Sequence, residues 1–183
     1  MTHFEVPVSA WVRRWAHLVR PGGRVLDLAC GSGRHARFFA GLGSSVTACD
    51  RDEVSLGTLA GIPGISIRQA DLEDGSPWPF EPGEFDAVIV CNYLHRPLFN
   101  PIADVLAPGG VLIYETFLSG NERYGKPSNP RFLLERDELL TAFARRLVVA
   151  GFEQGRVERA GNPALIQRLC ALSGVGLDNK LEA

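Results

Sequence analysis

An apolar strand that leads into a glycine turn and then a helix is the feature that most constrains this chain. Residues 25–36 read VLDLACGSGRHA. Gly31 and Gly33 allow the main chain to turn sharply and to approach a ligand closely, because neither carries a side chain. The helix that follows directs unsatisfied backbone N–H groups toward the same point. The segment therefore predicts a site for a nucleotide-like ligand.

Helical and strand periodicities alternate along the chain. A helix over residues 8–19 precedes strands at residues 24–29, 45–49, 65–69, 85–90 and 111–115, with helices between them at 52–60 and 102–106. A helix at 135–143 and two strands at 146–158 and 164–173 follow, and the chain after Gly174 is expected to be unstructured. The pattern predicts an α/β, doubly wound, Rossmann-like sheet that is mostly parallel and has an antiparallel C-terminal strand.

Composition limits the partners and the compartment. The 183 residues, 45% of them hydrophobic, suffice for one well-cored domain, and a net charge of −2 gives no electrostatic footprint for nucleic acid or an anionic membrane. No apolar run approaches the roughly 20 residues of a membrane helix, and residues 1–7 lack the pattern of a signal peptide. Four cysteines without Cys-x-x-Cys predict reduced thiols and no metal site. We expect a cytoplasmic monomer or homodimer with a small-molecule substrate.

The acids around the glycine turn discriminate between two ligand classes. Residues 31–36 satisfy the Gly-x-Gly-x-x-Gly/Ala dinucleotide pattern and Asp50 follows at nearly the spacing of a ribose-binding acid, which alone favours NAD. Asp27, however, lies inside an apolar strand, where an unpaired carboxylate is costly, and Asp71 follows the third strand. The predicted strand order places all three acids at neighbouring strand ends. Such an acidic crevice repels a pyrophosphate and suits a cation with hydrogen-bond donors, as in S-adenosylmethionine.

Across residues 24–117 the chain resembles the class I S-adenosylmethionine-dependent methyltransferases. The matching segments, in order, are residues 25–33, 46–50, 69–72, 85–92 and 106–115. Ala29 departs from the family pattern because many relatives have their first glycine there; its small side chain predicts a tighter turn with the site retained. The resemblance implies one methyltransferase domain over residues 1–183 with its cofactor-binding core at 24–117, S-adenosylmethionine as cofactor and S-adenosylhomocysteine as product.

The resemblance also implies a role for each site residue. Gly31 and Gly33 would carry the methionine portion and Asp27 its amino group, directly or through water. Asp50 would take the ribose hydroxyls and Asp71 the adenine amine. The cofactor-binding residues implied in this way are Asp27, Ala29, Gly31, Gly33, Asp50, Arg51, Asp71, Leu72, Cys91 and Asn92.

Within that fold the chain looks like the small bacterial methyltransferases grouped with tellurite-resistance proteins. The compact size carries this resemblance, together with GSGR at residues 31–34, NYLHRP at 92–97 and FLLE at 132–135. The substrates of that group are diverse, so the resemblance does not imply tellurite chemistry.

Methyl transfer to an acceptor requires mainly positioning, which can supply about 7–11 kcal/mol, and a general base only where the acceptor must lose a proton. His95 is the candidate base, with loop packing as the alternative, and Tyr93 either walls the cofactor or touches substrate. Arg123 and Tyr124, with Lys126 nearby, lie in the polar, turn-rich segment 119–130. That segment is either a lid suited to an anionic or aromatic substrate or a solvated connection.

Several alternatives stay open. His35 shows no partner pattern, and a surface or helix-end position is expected. Cys30, Cys49 and Cys91 each end a strand and are either small buried residues or one thiol-lined edge able to bind a soft metalloid. The main alternatives to a methyltransferase are a NAD(P)-binding reductase, which would leave Asp27 and Asp71 unexplained, and a module that binds S-adenosylmethionine without turnover.

Overall fold

The computed structural model describes residues 7–159 and 161–174. The segment after Gly174 that the sequence predicts to be unstructured lies outside the described residues, as do residues 1–6. In the described ranges, no helix is both long and apolar enough to cross a membrane.

Seven strands form one sheet in the order β3-β2-β1-β4-β5-β7-β6. The strands are β1 (Arg24–Leu28), β2 (Ser45–Asp50), β3 (Ile65–Gln69), β4 (Phe85–Cys91), β5 (Leu106–Phe117), β6 (Val148–Arg159) and β7 (Asn162–Leu172). Strands β1 to β5 are mutually parallel, and β7 lies antiparallel between β5 and β6. The predicted α/β class, with a mostly parallel sheet and an antiparallel C-terminal strand, is confirmed.

Helices cover both faces of the sheet, and successive strand residues alternate between two cores. The helices are α1 (Ala10–Trp15), α2 (Arg34–Gly41), α3 (Glu53–Gly57), α4 (Phe99–Asp104) and α5 (Glu138–Phe143). Val25 joins a core with Trp11 of α1, whereas Leu26 joins the opposite core with Phe143 of α5. This alternation follows from the two-residue period of a strand. It also places Asp27 on the Val25 side, where α2 begins.

Several element boundaries differ from the sequence prediction. Strand β5 begins at Leu106, which pairs with Phe85, so the helix predicted over residues 102–106 ends at Asp104. The register between β4 and β5 shifts between Phe85 and Ala87, and the extra residues of this irregularity, 107–110, lie on β5. Helix α5 begins only at Glu138 because the preceding Asp137 has a φ of 58°, a left-handed conformation that cannot continue a right-handed helix. The helix predicted from residue 8 begins at Ala10, with Ser9 as its N-cap.

Candidate functional site

A cavity of about 400 Å³ opens at the carboxyl ends of the parallel strands, where open α/β sheets bind their ligands. We call it the central cavity. Of the predicted cofactor-binding residues, it is lined by Ala29, Asp50, Arg51, Asp71, Leu72 and Asn92. Asp27, Gly31, Gly33 and Cys91 do not line it. Six of the ten predicted cofactor-binding residues thus line one cavity, and the other four do not.

The turn after β1 is strained in a way that explains its composition. Ala29, Gly31 and Gly33 have φ values of 52°, 53° and 74°, in the left-handed region that favours glycine. A Cβ at Gly33 would lie 2.4 Å from Leu59 Cδ1, whereas a Cβ at Gly31 would meet nothing within 4 Å. Gly33 is therefore required by packing as well as by conformation, and Ala29 keeps the turn that a glycine usually makes.

Asp50 ties the end of β2 to this turn. Its Oδ2 accepts a hydrogen bond from the backbone N–H of Gly31 at 2.7 Å, and its Oδ1 accepts one from the N–H of Asp52 at 3.0 Å. Two backbone donors orient the carboxylate, and each oxygen retains a lone pair for a ligand hydroxyl. The acid that the sequence assigned to ribose is therefore held rigidly at the cavity wall.

The β3 side of the cavity carries two further carboxylates. Asp71 Oδ1 accepts from the N–H of Glu73 at 3.0 Å, and Asp71 Oδ2 lies 3.9 Å from the Arg51 guanidinium. Glu73 lines the cavity as well, although the sequence analysis did not select it. The carboxylates of Asp50, Asp71 and Glu73 thus line the cavity together with Arg51. This set suits a ligand that carries a positive charge and several hydrogen-bond donors.

Asp27 lies beneath the turn, almost fully buried. Its Oδ2 accepts from the N–H of Ala36 in α2 at 2.8 Å, and its Oδ1 lies 3.9 Å from His35 Nδ1. Burial raises the pKa of Asp27 to about 8, against the lowering effect of the Ala36 hydrogen bond and of Arg34. Burial together with Arg34 lowers the pKa of His35 to about 3. The expectation of a surface position for His35 is wrong, because its Nε2 accepts from the N–H of Ser9 at 3.3 Å inside the fold.

The β4 end is fixed by a buried ion pair. Asn92 has a φ of 58°, and its Oδ1 accepts from Arg159 Nη1 at 2.8 Å. The same Arg159 pairs with the buried carboxylate of Glu115, which also accepts from Ser9 Oγ at 2.9 Å and faces Arg168 at 3.4 Å. This network was not predicted from the sequence. An acid inside an apolar strand, the signal used for Asp27, was present at Glu115 too.

Tyr93 and His95 lie on the Glu73 side. Tyr93 lines the cavity, and its buried hydroxyl makes no hydrogen bond with any residue the structure describes. Burial, followed by the Glu73 and Asp71 carboxylates, raises the Tyr93 pKa above its ordinary value. His95 does not line the cavity; its Nδ1 is 3.9 Å from Glu73 Oε2. Glu73 is therefore close to two of the four candidate catalytic residues, Tyr93 and His95.

A second concavity continues from the central cavity and shares Asn92, Phe117, Pro127 and Phe132 with it. We call it the outer groove. It runs along residues 126–132 and adjoins a further concavity, with which it shares Phe117 and Lys126 and which Tyr124, Arg159 and the β6–β7 turn line; the name covers both parts. Arg123 does not line either space: its Nε donates to the carbonyl of Gly120 at 3.2 Å and its guanidinium lies 5.7 Å from the Tyr124 ring centroid.

The cysteines do not form one thiol-lined edge. Cys30 and Cys91 pack in the core beside α1 to α3, whereas Cys49 packs in the opposite core. Burial raises the pKa of Cys49 to about 12 and that of Cys91 well above its ordinary value. Over residues 7–159 and 161–174, no cluster of three or more His, Cys, Asp or Glu side chains is arranged to hold a metal ion. The cysteines are small buried residues, the first of the two alternatives.

Comparisons with known proteins match part of the chain to methyltransferases. A family described as "Methyltransferase domain" matches residues 25–110, which carry the glycine turn and the ends of β1 to β4. The methyltransferase YqeM of Bacillus subtilis, so named provisionally, is 31% identical over 133 residues, covering 65% of this chain and 51% of its own. A ubiquinone biosynthesis O-methyltransferase of Xanthomonas campestris is 34% identical over 111 residues, covering 55% and 46%.

The chain thus spans about half the length of these curated relatives. The crystal structure of TehB from Haemophilus influenzae superposes with a TM-score of 0.76 at 18% identity, covering 91% of this chain and 62% of that one, and shows the same fold. The sequence match falls on the strand ends that build the central cavity, and the sheet around them has the order of this fold. The chain therefore contains a segment, residues 25–110, that matches the methyltransferase-domain family, and its fold is the one found in solved S-adenosylmethionine-dependent methyltransferases.

Proposed function

We propose that this protein transfers a methyl group from S-adenosylmethionine to a small-molecule acceptor and catalyses the transfer mainly by positioning. The observation that carries the proposal is the central cavity, with Asp50 fixed by the Gly31 amide and with Asp71 and Glu73 beside it. Its volume of about 400 Å³ lies in the range of small-molecule sites. A carboxylate-rich wall suits a ligand that combines a cation, a ribose diol and an amine.

In this proposal, different residues bind the ribose, adenine and methionine parts of the cofactor. Asp50 takes the ribose hydroxyls, because both of its oxygens are already oriented by backbone N–H groups. Asp71, with Arg51 and Leu72 beside it, takes the adenine end. The turn at Gly31 and Gly33 takes the methionine end, with Asp27 beneath it as the nearest buried carboxylate.

When bound, S-adenosylmethionine supplies a methyl carbon activated by its sulfonium: an acceptor lone pair forms the new bond, the carbon–sulfur bond breaks toward sulfur, and S-adenosylhomocysteine is left. The chain contributes orientation, through Asn92 held by Arg159 and through the walls of the cavity. Where the acceptor releases a proton, His95 is the proposed base, with Glu73 orienting its ring and Tyr93 closing the wall. Arg123 and Tyr124 are proposed to act on the acceptor side.

A small-molecule acceptor is supported by the relative named for ubiquinone biosynthesis, and we propose a cytoplasmic location. The carboxylates that surround the cavity disfavour the NAD(P) alternative, because a pyrophosphate would face Asp50, Asp71 and Glu73. A module that binds S-adenosylmethionine without turnover would have the same cavity, so only a methyl-transfer assay distinguishes it from an enzyme.

Calorimetric titration of the purified chain with S-adenosylhomocysteine and, separately, with NADH tests the proposal. We expect micromolar binding of the former and none of the latter, since only the former presents donors to all three carboxylates. Binding of NADH alone would overturn the proposal. Product binding without methyl transfer to any acceptor in a broad small-molecule panel would instead support the binding module.

A further inference from the structure

The two connected spaces differ in the charges on their walls. The central cavity is lined by Asp50, Asp71 and Glu73, with Arg51 as its cation. The outer groove is lined by Lys126 and Arg159 and by no carboxylate. Like charges at a wall repel a ligand and opposite charges attract it, with little screening over a few ångströms. The half that suits a cationic cofactor therefore continues into a half that suits an anion.

The two cations in the groove differ in whether they already have an ion-pair partner. Arg159 pairs with the buried Glu115 carboxylate and donates to Asn92. Lys126 forms no ion pair with any residue in the described ranges. An ammonium without an ion-pair partner among the described residues, in a groove that no carboxylate lines, attracts a carboxylate.

Aromatic rings supply the rest of the groove wall. Phe117 lies at the junction with the central cavity, and the Arg159 guanidinium covers it at 5.4 Å from the ring centroid. Phe132 is 45% exposed and Tyr124 39% exposed, which is unusual for side chains of this size. Rings exposed together in a concavity, rather than singly on a convex surface, favour a flat apolar ligand.

We propose that the outer groove binds the methyl acceptor and that this acceptor is a small aromatic acid, its ring against Phe117 and Phe132 and its carboxylate at Lys126. The inference rests on the proposed function, because Asn92 and Phe117 line both spaces and so bring an occupant of the groove next to an occupant of the cavity. Lys126 is then a specificity-determining residue, and the acidic central cavity rejects the same acid.

The test is calorimetric titration of the protein saturated with S-adenosylhomocysteine, using 2-naphthoate and benzoate, each against its neutral carboxamide. We expect each acid to bind about tenfold more tightly than its amide, the value of one charge-assisted contact. Lys126→Gln should abolish this preference, whereas Arg131→Gln should retain it, because Arg131 is exposed on the same segment and does not line the groove. Thermal melting and S-adenosylhomocysteine titration of both variants verify that each is folded.

The outcomes separate the inference from the function on which it rests. If S-adenosylhomocysteine binds but neither acid does, or if the amides bind as tightly as the acids, the acceptor class is wrong and the methyltransferase proposal stands. An acid preference that survives Lys126→Gln also overturns the role given to Lys126. Failure of S-adenosylhomocysteine to bind the unmodified chain overturns the proposed function, and the acceptor inference with it.

Discussion

The central cavity and the outer groove meet at Asn92 and Phe117, yet they are built by different means. The central cavity is made by strand ends, and its Asp50 is fixed by backbone N–H groups of neighbouring turns. The outer groove is made by one long connection, residues 119–132, which the buried Asn121 anchors through Pro127 and Leu165. The sheet therefore positions the central cavity, the proposed cofactor half, whereas a loop whose sequence can change without disturbing the sheet forms the outer groove, the proposed acceptor half.

Removal of Asp50 should break the cofactor half alone. Asp50→Ala loses the ribose partner and leaves the Gly31 N–H without its acceptor, so we expect S-adenosylhomocysteine affinity to fall at least 100-fold, about 3 kcal/mol. Calorimetry measures this loss. The matched control is Asp74→Ala, an exposed acid that does not line the cavity. Equal losses in the two variants would show that overall charge, rather than the Asp50 contact, governs binding.

The two glycines of the turn should respond differently to a methyl group. Gly33→Ala suffers both a positive φ and a clash with Leu59, and we expect the free energy of unfolding to fall by about 2–3 kcal/mol. Gly31→Ala suffers the positive φ alone and should lose about 1 kcal/mol. Urea denaturation compares them. In a Leu59→Ala background, Gly33→Ala should cost less than it does in the unmodified chain if the clash with the buried Leu59 is the cause of the loss.

The ion pair at the boundary of the two halves should be worth more than an exposed pair on the same strand. Arg159→Met leaves Glu115 buried with only Arg168 and Ser9, and we expect a loss of about 2 kcal/mol in unfolding free energy. Arg156→Met, which breaks an exposed pair with Glu158, should cost under about 1 kcal/mol. Indistinguishable denaturation midpoints for the two variants would contradict this assignment.

The cofactor half should also set a pH dependence of stability that the outer groove lacks. Because burial raises the pKa of Asp27 to about 8 in the fold, the unfolded chain releases this proton at lower pH than the folded chain does. The stabilisation that Asp27 contributes is complete below the pKa that Asp27 has in the unfolded chain, and it is lost as the pH rises toward 8. His35, with its pKa near 3, is neutral in the folded chain over this whole range.

Between pH 6.5 and 8 we therefore expect unfolding free energy to fall by about 1 kcal/mol per pH unit. Asp27→Asn, which keeps an oxygen for the Ala36 N–H, should flatten the profile. Lys126→Gln should leave it unchanged. A slope of the same size in Asp27→Asn would assign the titration to another group.

The sequence correctly predicted that acids and polar side chains from different strands lie at one edge of the sheet, because parallel topology brings the strand ends together. Asp50, Asp71 and Asn92 follow three different strands and meet at one cavity for that reason alone. Glu73 was not predicted to line the cavity because the strand pattern ends at Gln69. A side chain four residues beyond the end of a strand has no periodicity that predicts its position.

Tertiary contacts explain the other omissions. Arg159 reaches Asn92 and Glu115 from a strand 67 and 44 residues away in sequence, and no local pattern records such a contact. The start of α5 was misplaced for a similar reason. Arg96 and the N–H of Glu135 bind the Glu138 carboxylate, so the segment before Glu138 is held in a turn by tertiary contacts.

The most direct test of this division is a crystal structure of the chain grown with S-adenosylhomocysteine. The account predicts the ribose at Asp50, the adenine toward Asp71 and Leu72, and the sulfur facing Asn92 and Phe117, with the outer groove left open beside it. S-adenosylhomocysteine lying in the outer groove, or lying in the central cavity with its sulfur turned away from Asn92, would contradict it.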